Sequence, residues 1–501
     1  MTTSPSSSYS STQSELSTSQ PASEVLSSAL FLLSNFFERF AFYGVRWALV
    51  LYFVMEIAPA DFDAKNQAQM LYSGFLGFLA VVGLLGAYIA DRLESHLEAA
   101  LSGALLMGLG LILLLVADAS MFRLGLATIV LGNGLYRPVL MSLLGSSFGD
   151  NEAKRDAGFV VAYMLTNLAG FVAPMFTQFL ASKVFKVDDH ISFKSVFIVA
   201  ALSMLISFFC VLWMTRQRGV AQARQLMAWK PIALVQCGGA AMLGVLLLSY
   251  LIDVSVASFG IVNLVGLIVA AVILGRTARG ETGRGSRPYL FLLVLAAMCI
   301  AQIVLELSRP SVDLVLNGWL GSTALLPFEP QMQAVILPVI FIIASAPILA
   351  VGLFIMGRHF YPNLVQRMGW VMLITLVSLG FVYFAAQALL QGQQQALSIG
   401  MPSLLSMLAS QAAGEILLTA LSFSMVFAYA PRRHWALAMA MVLLVTKSGS
   451  QVAGYLLGAF PVLQLQANQD APLHLMLACT CLGLLAISTW IGGRFLKRSL
   501  P

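Results

Sequence analysis

Long apolar blocks separated by short polar connections run through almost the whole chain. The blocks lie near 26–55, 69–90, 97–117, 121–146, 157–181, 196–215, 231–251, 258–275, 289–308, 332–356, 368–390, 403–428, 435–458 and 472–493. About twenty helical residues cross a hydrocarbon core of roughly 30 Å. Within each block the apolar residues run on without strand-like alternation, so the pattern predicts helices rather than a closed barrel. The expected architecture is all-α and membrane-embedded, with fourteen helices grouped six, two and six. Residues 1–24 form a Ser/Thr-rich tail expected to be disordered. Residues 25–217 form an N-terminal six-helix bundle, 218–288 a basic linker with two extra transmembrane helices, and 289–501 a C-terminal six-helix bundle. Two bundles around a midplane site is the plan of many secondary transporters.

Composition sharpens this picture. The chain is 59% apolar and 10% charged, whereas soluble chains are about a quarter charged. The tail has no Lys or Arg and so lacks the basic start of a signal peptide. With the N-terminus inside, the inner loops and C-terminus hold eighteen Lys and Arg and the outer loops six, which predicts cytoplasmic termini. The expected location is a bacterial inner membrane. The asymmetry accounts for the net charge of +6 through lipid, with no nucleic-acid partner. The five cysteines sit in apolar blocks at spacings that match no zinc or redox pattern, and read as buried apolar residues. No histidine falls in the middle of a block, which argues against a histidine proton relay. No nucleophile, metal or phosphate-loop constellation is present, so neither an enzyme nor a cofactor or metal is expected.

The remaining four basic residues, Arg39, Arg46, Arg137 and Lys447, lie inside apolar blocks, as do Glu306 and Glu415. A charge there costs several kcal/mol and needs a reason. In SNFFERFAFYGVR, Asn35, Arg39, Phe42 and Arg46 share one helical stripe. Glu38 lies beside Arg39 and can reach a neighbouring helix; the alternative is a buried ion pair that fixes packing. Arg46 has no acid nearby in its own helix and is suited to an anionic group. Arg137, in LGNGLYRPVLM, is followed by Pro138, which frees a carbonyl; the alternative is a structural Arg. Glu306 is a site residue or a rim carboxylate, and Glu415 a proton-coupled acid or a neutral acid bonded to a neighbour. Asp253 reads as a helix end, and DNEAKRD at 150–156 as a solvated inner loop. Lys447, Gln451 and Gly454 fall on one stripe that should turn inward, which predicts that Lys447 pairs with Glu306 or Glu415. A lysine bonded only to helix carbonyls is the alternative. Cations in the first half and acids in the second would bridge a solute with a carboxylate and an ammonium.

FFERFAFYGVR, GAYIADRLESH, the stretch LGNGLYRPVLMSLLGSSFGDNEAKRDAGFVVAYMLTNLAG, and GEILLTALSFS with APRRHWALAMA and GYLLG together resemble the proton-dependent oligopeptide transporter (POT) family of the major facilitator superfamily. The resemblance spreads over most of residues 30–460. It implies a major-facilitator fold, with a small peptide, protons and membrane lipid as partners and a functional monomer. It implies that Arg46 and Arg137 hold the peptide carboxylate and Glu415 its amine. It further implies that Glu306 couples protons and gates, that Glu38 and Arg39 join the coupling cluster, and that Tyr43 and Asn167 line the pocket. The chain departs from the family at Asn35 (a Glu in the family), Ala80 (a pocket Tyr), Leu337 (an Asn before Pro), Ala420 (a Pro) and Lys447 (a small residue). These departures bear on substrate and coupling. Lys447 thereby joins the coupling and gating candidates. The expected activity is proton-coupled uptake of di- or tripeptides. An exporter or carrier of another peptide-like zwitterion, and a receptor that binds without transport, are the rivals.

Overall fold

A computed structural model describes residues 9–59, 61–186, 190–217, 242–251, 256–278, 288–320, 330–359, 363–390, 401–459 and 483. Among them every regular element is helical. The helices are α1 (Tyr9–Tyr52), α2 (Ala64–Leu93), α3 (His96–Leu113), α4 (Ala119–Ser146), α5 (Glu152–Phe179), α6 (Phe193–Gln217), α7 (Met242–Leu251), α8 (Val256–Ala278), α9 (Pro288–Leu320), α10 (Pro330–His359), α11 (Leu364–Leu390), α12 (Met401–Tyr429) and α13 (Trp435–Ala459). Ten membrane-spanning candidates among the described residues are long and apolar enough to cross a bilayer. The chain is a multi-pass membrane protein. The block at 472–493 apart from residue 483, Asp253, and Cys237, Cys479 and Cys481 lie outside the described residues. Cys210 is buried and Cys299 half-buried, both as free thiols.

α1 begins at Tyr9, upstream of the boundary that composition placed at residue 24. Once a helix is nucleated by its apolar part, each added residue gains one backbone hydrogen bond, so it extends readily into polar sequence. α1 and α5 both close in a single π-helical turn, Phe53–Ile57 and Leu180–Val184.

In lipid, helices gain little from apolar burial against each other, and close backbone contact through small residues holds them together. α3 and α4 meet in this way. A Cβ at Gly132 would lie 2.7 Å from the Gly103 carbonyl oxygen. α2 and α4 approach as closely: a Cβ at Gly86 would lie 2.5 Å from the Gly134 carbonyl oxygen. The GNG of α4 thus serves two helices at once. A hydroxyl cluster adds polar cross-links: Tyr136 OH lies 2.6 Å from Ser34 Oγ and 2.5 Å from Ser207 Oγ, tying α4 to α1 and α6.

The first six helices pack mainly among themselves, α1 against α5 and α6, α4 against α2 and α3. The second set does the same through α9 with α13 and α11 with α12. Between them, α5 meets α10 and α12, while α2 and α4 meet α13. α8 lies against α2 and α13.

On the side where α4 turns into α5, the two halves are latched. Arg367, in the first turns of α11, donates to Asp156 and Glu152 at the start of α5. The expectation of a solvated loop at 150–156 is corrected here: Arg155 and Asp156 are buried inside α5, capped by Asn151 Oδ1 accepting from the Lys154 amide at 2.9 Å. The Arg155 guanidinium donates to the Gly145 and Gly149 carbonyls and stacks 4.7 Å from the Phe427 ring centroid. A second latch joins buried Asp91, at the end of α2, to the amides of Ala436 and Leu437 at 3.2 and 2.8 Å. Those amides begin α13, where the helix dipole favours a carboxylate. His96 Nε2 lies 2.8 Å from the same Asp91 carboxylate, and His434 stacks on Tyr88.

Candidate functional site

The buried charges of the first half cluster on α1. Glu38 and Arg39 are 0% and 1% exposed, so neither charge is relieved by solvent. Adjacent residues on a helix do not normally face each other, but these two long side chains fold together in a bidentate pair, with Arg39 Nε 2.5 Å from Glu38 Oε2. Asn133 of α4 donates to Glu38 Oε1 at 3.1 Å and spreads the cluster to a second helix. The Arg39 guanidinium also lies 4.7 Å from the Phe42 ring centroid, within cation–π range.

One helical stripe further, half-buried Arg46 donates from Nε to Tyr72 OH of α2 at 2.8 Å. Its guanidinium carbon lies 5.7 to 5.9 Å from the rings of Phe42, Tyr43 and Tyr72. Three aromatic faces and a phenol orient this cation without neutralising it. Asn35 donates to the Ala162 carbonyl and Thr166 Oγ1, each at 3.3 Å, so it fastens α1 to α5. Asn167 donates to the Tyr163 carbonyl of its own helix at 3.0 Å.

The second half supplies the acids. Glu415 of α12 accepts from Tyr163 OH of α5 at 2.7 Å, a direct bond across the interface between the halves. Glu306 of α9 accepts from Gln302 Nε2 at 3.2 Å. Lys447 of α13 turns inward, as its stripe predicts. Its side chain and that of Arg137 line one cavity together with Ala80, Gly83, Asn133 and Leu443. The expected pairing of Lys447 is corrected: among the described residues no ion pair joins it to Glu306 or Glu415. α13 presents Lys447 toward α2 and α4, on the side of Glu38, Arg39 and Arg46, while the two acids face Gln302 and Tyr163. The cavity is about 20 Å³, room for about one water molecule. This cavity does not hold a peptide-sized solute.

Helical architecture, buried charges divided between two halves, and a cavity at their interface invite comparison with known carriers. The chain matches solved transporters over nearly its full length. It aligns with a tetrameric crystal structure of PepTSo2 at TM-score 0.54 and 19% identity, covering 96% of this chain and 98% of that one. It aligns with a POT family transporter in complex with a thioalcohol-conjugated peptide at TM-score 0.57 and 20% identity, covering 93% and 95%. The fold is that of the POT transporters. The sequence model of the POT family matches residues 98–222, which includes the GNGLYRP helix and the start of α5. Among curated relatives, dipeptide and tripeptide permease A of Escherichia coli (strain K12) is 24% identical over 85% of this chain and 82% of its own length. Dipeptide and tripeptide permease B of Edwardsiella piscicida is 24% identical over 84% and 83%.

Set beside the POT resemblance, the structure brings Glu38, Arg39, Tyr43 and Arg46 together on α1 and sets Arg137 and Lys447 on a common cavity wall. Five residues of the site region were not singled out from the sequence: Tyr72, Asn133, Tyr163, Asp156 and Arg367. Tyr163 carried a weak signal, since a phenol one helical turn before Asn167 shares its face. Arg367 carried none beyond its loop charge.

Proposed function

We propose that the chain is a secondary active transporter that takes up di- or tripeptides with protons by alternating access. The observation that carries this reading is the division of charge between the halves: Arg46 and Arg137 lie on α1 and α4, and Glu415 on α12 is bonded across the interface to α5. A zwitterionic peptide spanning that gap has its carboxylate on one bundle and its ammonium on the other. Binding then draws the halves together, and the latches on the opposite side must yield for release. The curated relatives are named as dipeptide and tripeptide permeases, which supports the substrate class. In this scheme Arg46 and Arg137 take the carboxylate and Glu415 the amine, while Tyr43 and Asn167 shape the pocket. Glu306, Glu38, Arg39 and Lys447 serve coupling and gating. The protein works as a monomer.

The test is uptake of labelled dialanine into vesicles holding the purified chain, with acid imposed outside. Accumulation above the equilibrium level, abolished by a protonophore, is expected. Saturable binding without flux would instead make the protein a receptor, and accumulation against the imposed direction an exporter.

The orientation proposed places both termini, and the α4–α5 side with its latches, in the cytoplasm. Single cysteines at Gly283 and Gln394, both outside the described residues, check it. An impermeant thiol reagent on intact cells is expected to label position 394 and spare 283; the reverse pattern inverts the topology.

A further inference from the structure

We propose that Lys447 is a specificity-determining residue that, with Arg137 from the opposite half, forms a seat for a second anionic group, so that the preferred peptide carries an acidic side chain besides its terminal carboxylate. This rests on the transport reading above and names the substrate class within it.

The argument begins with charge. Arg137 comes from α4 and Lys447 from α13, and both line the same cavity. No carboxylate is among that cavity's lining residues. Among the described residues, neither side chain has a hydrogen-bond or ion-pair partner. The nearest acid, Glu38, is committed to Arg39 and to Asn133. The other charged neighbours that bear on Lys447 are Arg39 and Arg46, both cations. On the remaining helices packed against α13, Glu306 of α9 accepts from Gln302 and Glu415 of α12 from Tyr163. The wall therefore holds two cations, Arg137 and Lys447, with Arg46 of α1 bearing on Lys447 from beside it, and no carboxylate of the described residues forms an ion pair with any of the three.

A single peptide carboxylate placed among them leaves positive charge uncompensated in a low-dielectric site, which is costly. A second anion removes that cost and adds charge-assisted hydrogen bonds. The α2 wall beside these two cations is cut back to small residues. A Cβ added at Gly83, on the α2 wall, would meet nothing within 4 Å, and Ala80 on the same helix is as small. Because Arg137 and Lys447 belong to different halves, an anion held by both also ties those halves together, so recognition of the acidic group is coupled to closure.

The experiment compares two near-isosteric probes, Ala-Glu and Ala-Gln, for binding to the purified full-length chain, wild type and variants. The wild type is expected to bind Ala-Glu at least about tenfold more tightly, the effect of one charge-assisted contact. In Lys447→Gln the ratio of the two affinities is expected to fall close to one, and in Lys447→Arg to persist. Equal affinities in the wild type, or a preference that survives Lys447→Gln, overturns the proposal. Should Lys447→Gln fail to fold, the wild-type ratio and Lys447→Arg still decide it. Flux of the same two probes is scored separately. A preference in binding without flux keeps the anion seat and removes the transporter; flux without a preference does the opposite. Binding of neither probe removes both.

Discussion

Arg46→Ala is expected to weaken binding of a free dipeptide by about 10- to 150-fold while leaving the protein folded. The guanidinium is held by Tyr72 OH at 2.8 Å and flanked by three aromatic rings, yet no carboxylate of the described residues pairs with it. It is pre-oriented and electrically open. Losing a charge-assisted hydrogen bond typically costs about 1.5–3 kcal/mol, which gives that range at about 1.4 kcal/mol per tenfold. Stability should change little, because the residue is half-buried and its removal strands only the hydroxyl of Tyr72, which is itself half-buried. The informative comparison is with a C-terminally amidated dipeptide, whose affinity should move far less. Equal loss for both peptides would make Arg46 a structural residue that shapes the Phe42–Tyr43–Tyr72 wall.

The fold was legible because the bilayer imposes a coarse rule. Spans must be about twenty apolar residues long, and charges inside them are rare enough to stand out. That rule located every described span and picked out Glu38, Arg39, Arg46, Arg137, Glu306, Glu415 and Lys447. It gave no account of partners. Glu38 satisfies itself through its neighbour Arg39 and through Asn133, 95 residues away in sequence. Lys447 sits on an inward stripe, but which of several facing helices it meets depends on the rotation of α13 about its axis, which periodicity alone does not set. The missed residues share a reason. DNEAKRD is polar throughout, as a solvated loop would be. Burial of Arg155 and Asp156 follows from α5 starting at Glu152 and from Arg367 waiting on the other half. Asn151 as a helix cap was the one local hint that the run is helical rather than loop.

Arg367→Ala is expected to have the largest effect of any single change at the interface. It removes a buried, charged partner of Asp156, whose side chain is only 1% exposed, while Glu152 on the same guanidinium is 52% exposed and can turn to solvent. Breaking a buried pair by deleting one member typically costs about 3–5 kcal/mol, since the remaining charge is left uncompensated. That cost falls on the state in which α5 and α11 are in contact. Parting the halves on this side exposes Asp156 to water and relieves it. The population should therefore shift toward the parted arrangement by about two orders of magnitude or more. A carrier held to one side cannot complete its cycle, so flux should drop at least about tenfold although the binding residues are intact. Spin labels at exposed Lys154 and Arg433, one in each half, should report a longer distance in the variant than in the parent. The exchange Asp156→Arg with Arg367→Asp should bring back both the short distance and part of the flux. An unchanged distance with normal flux would leave the pair as packing and assign closure on this side to Asp91, which bonds the first amides of α13 independently of Arg367.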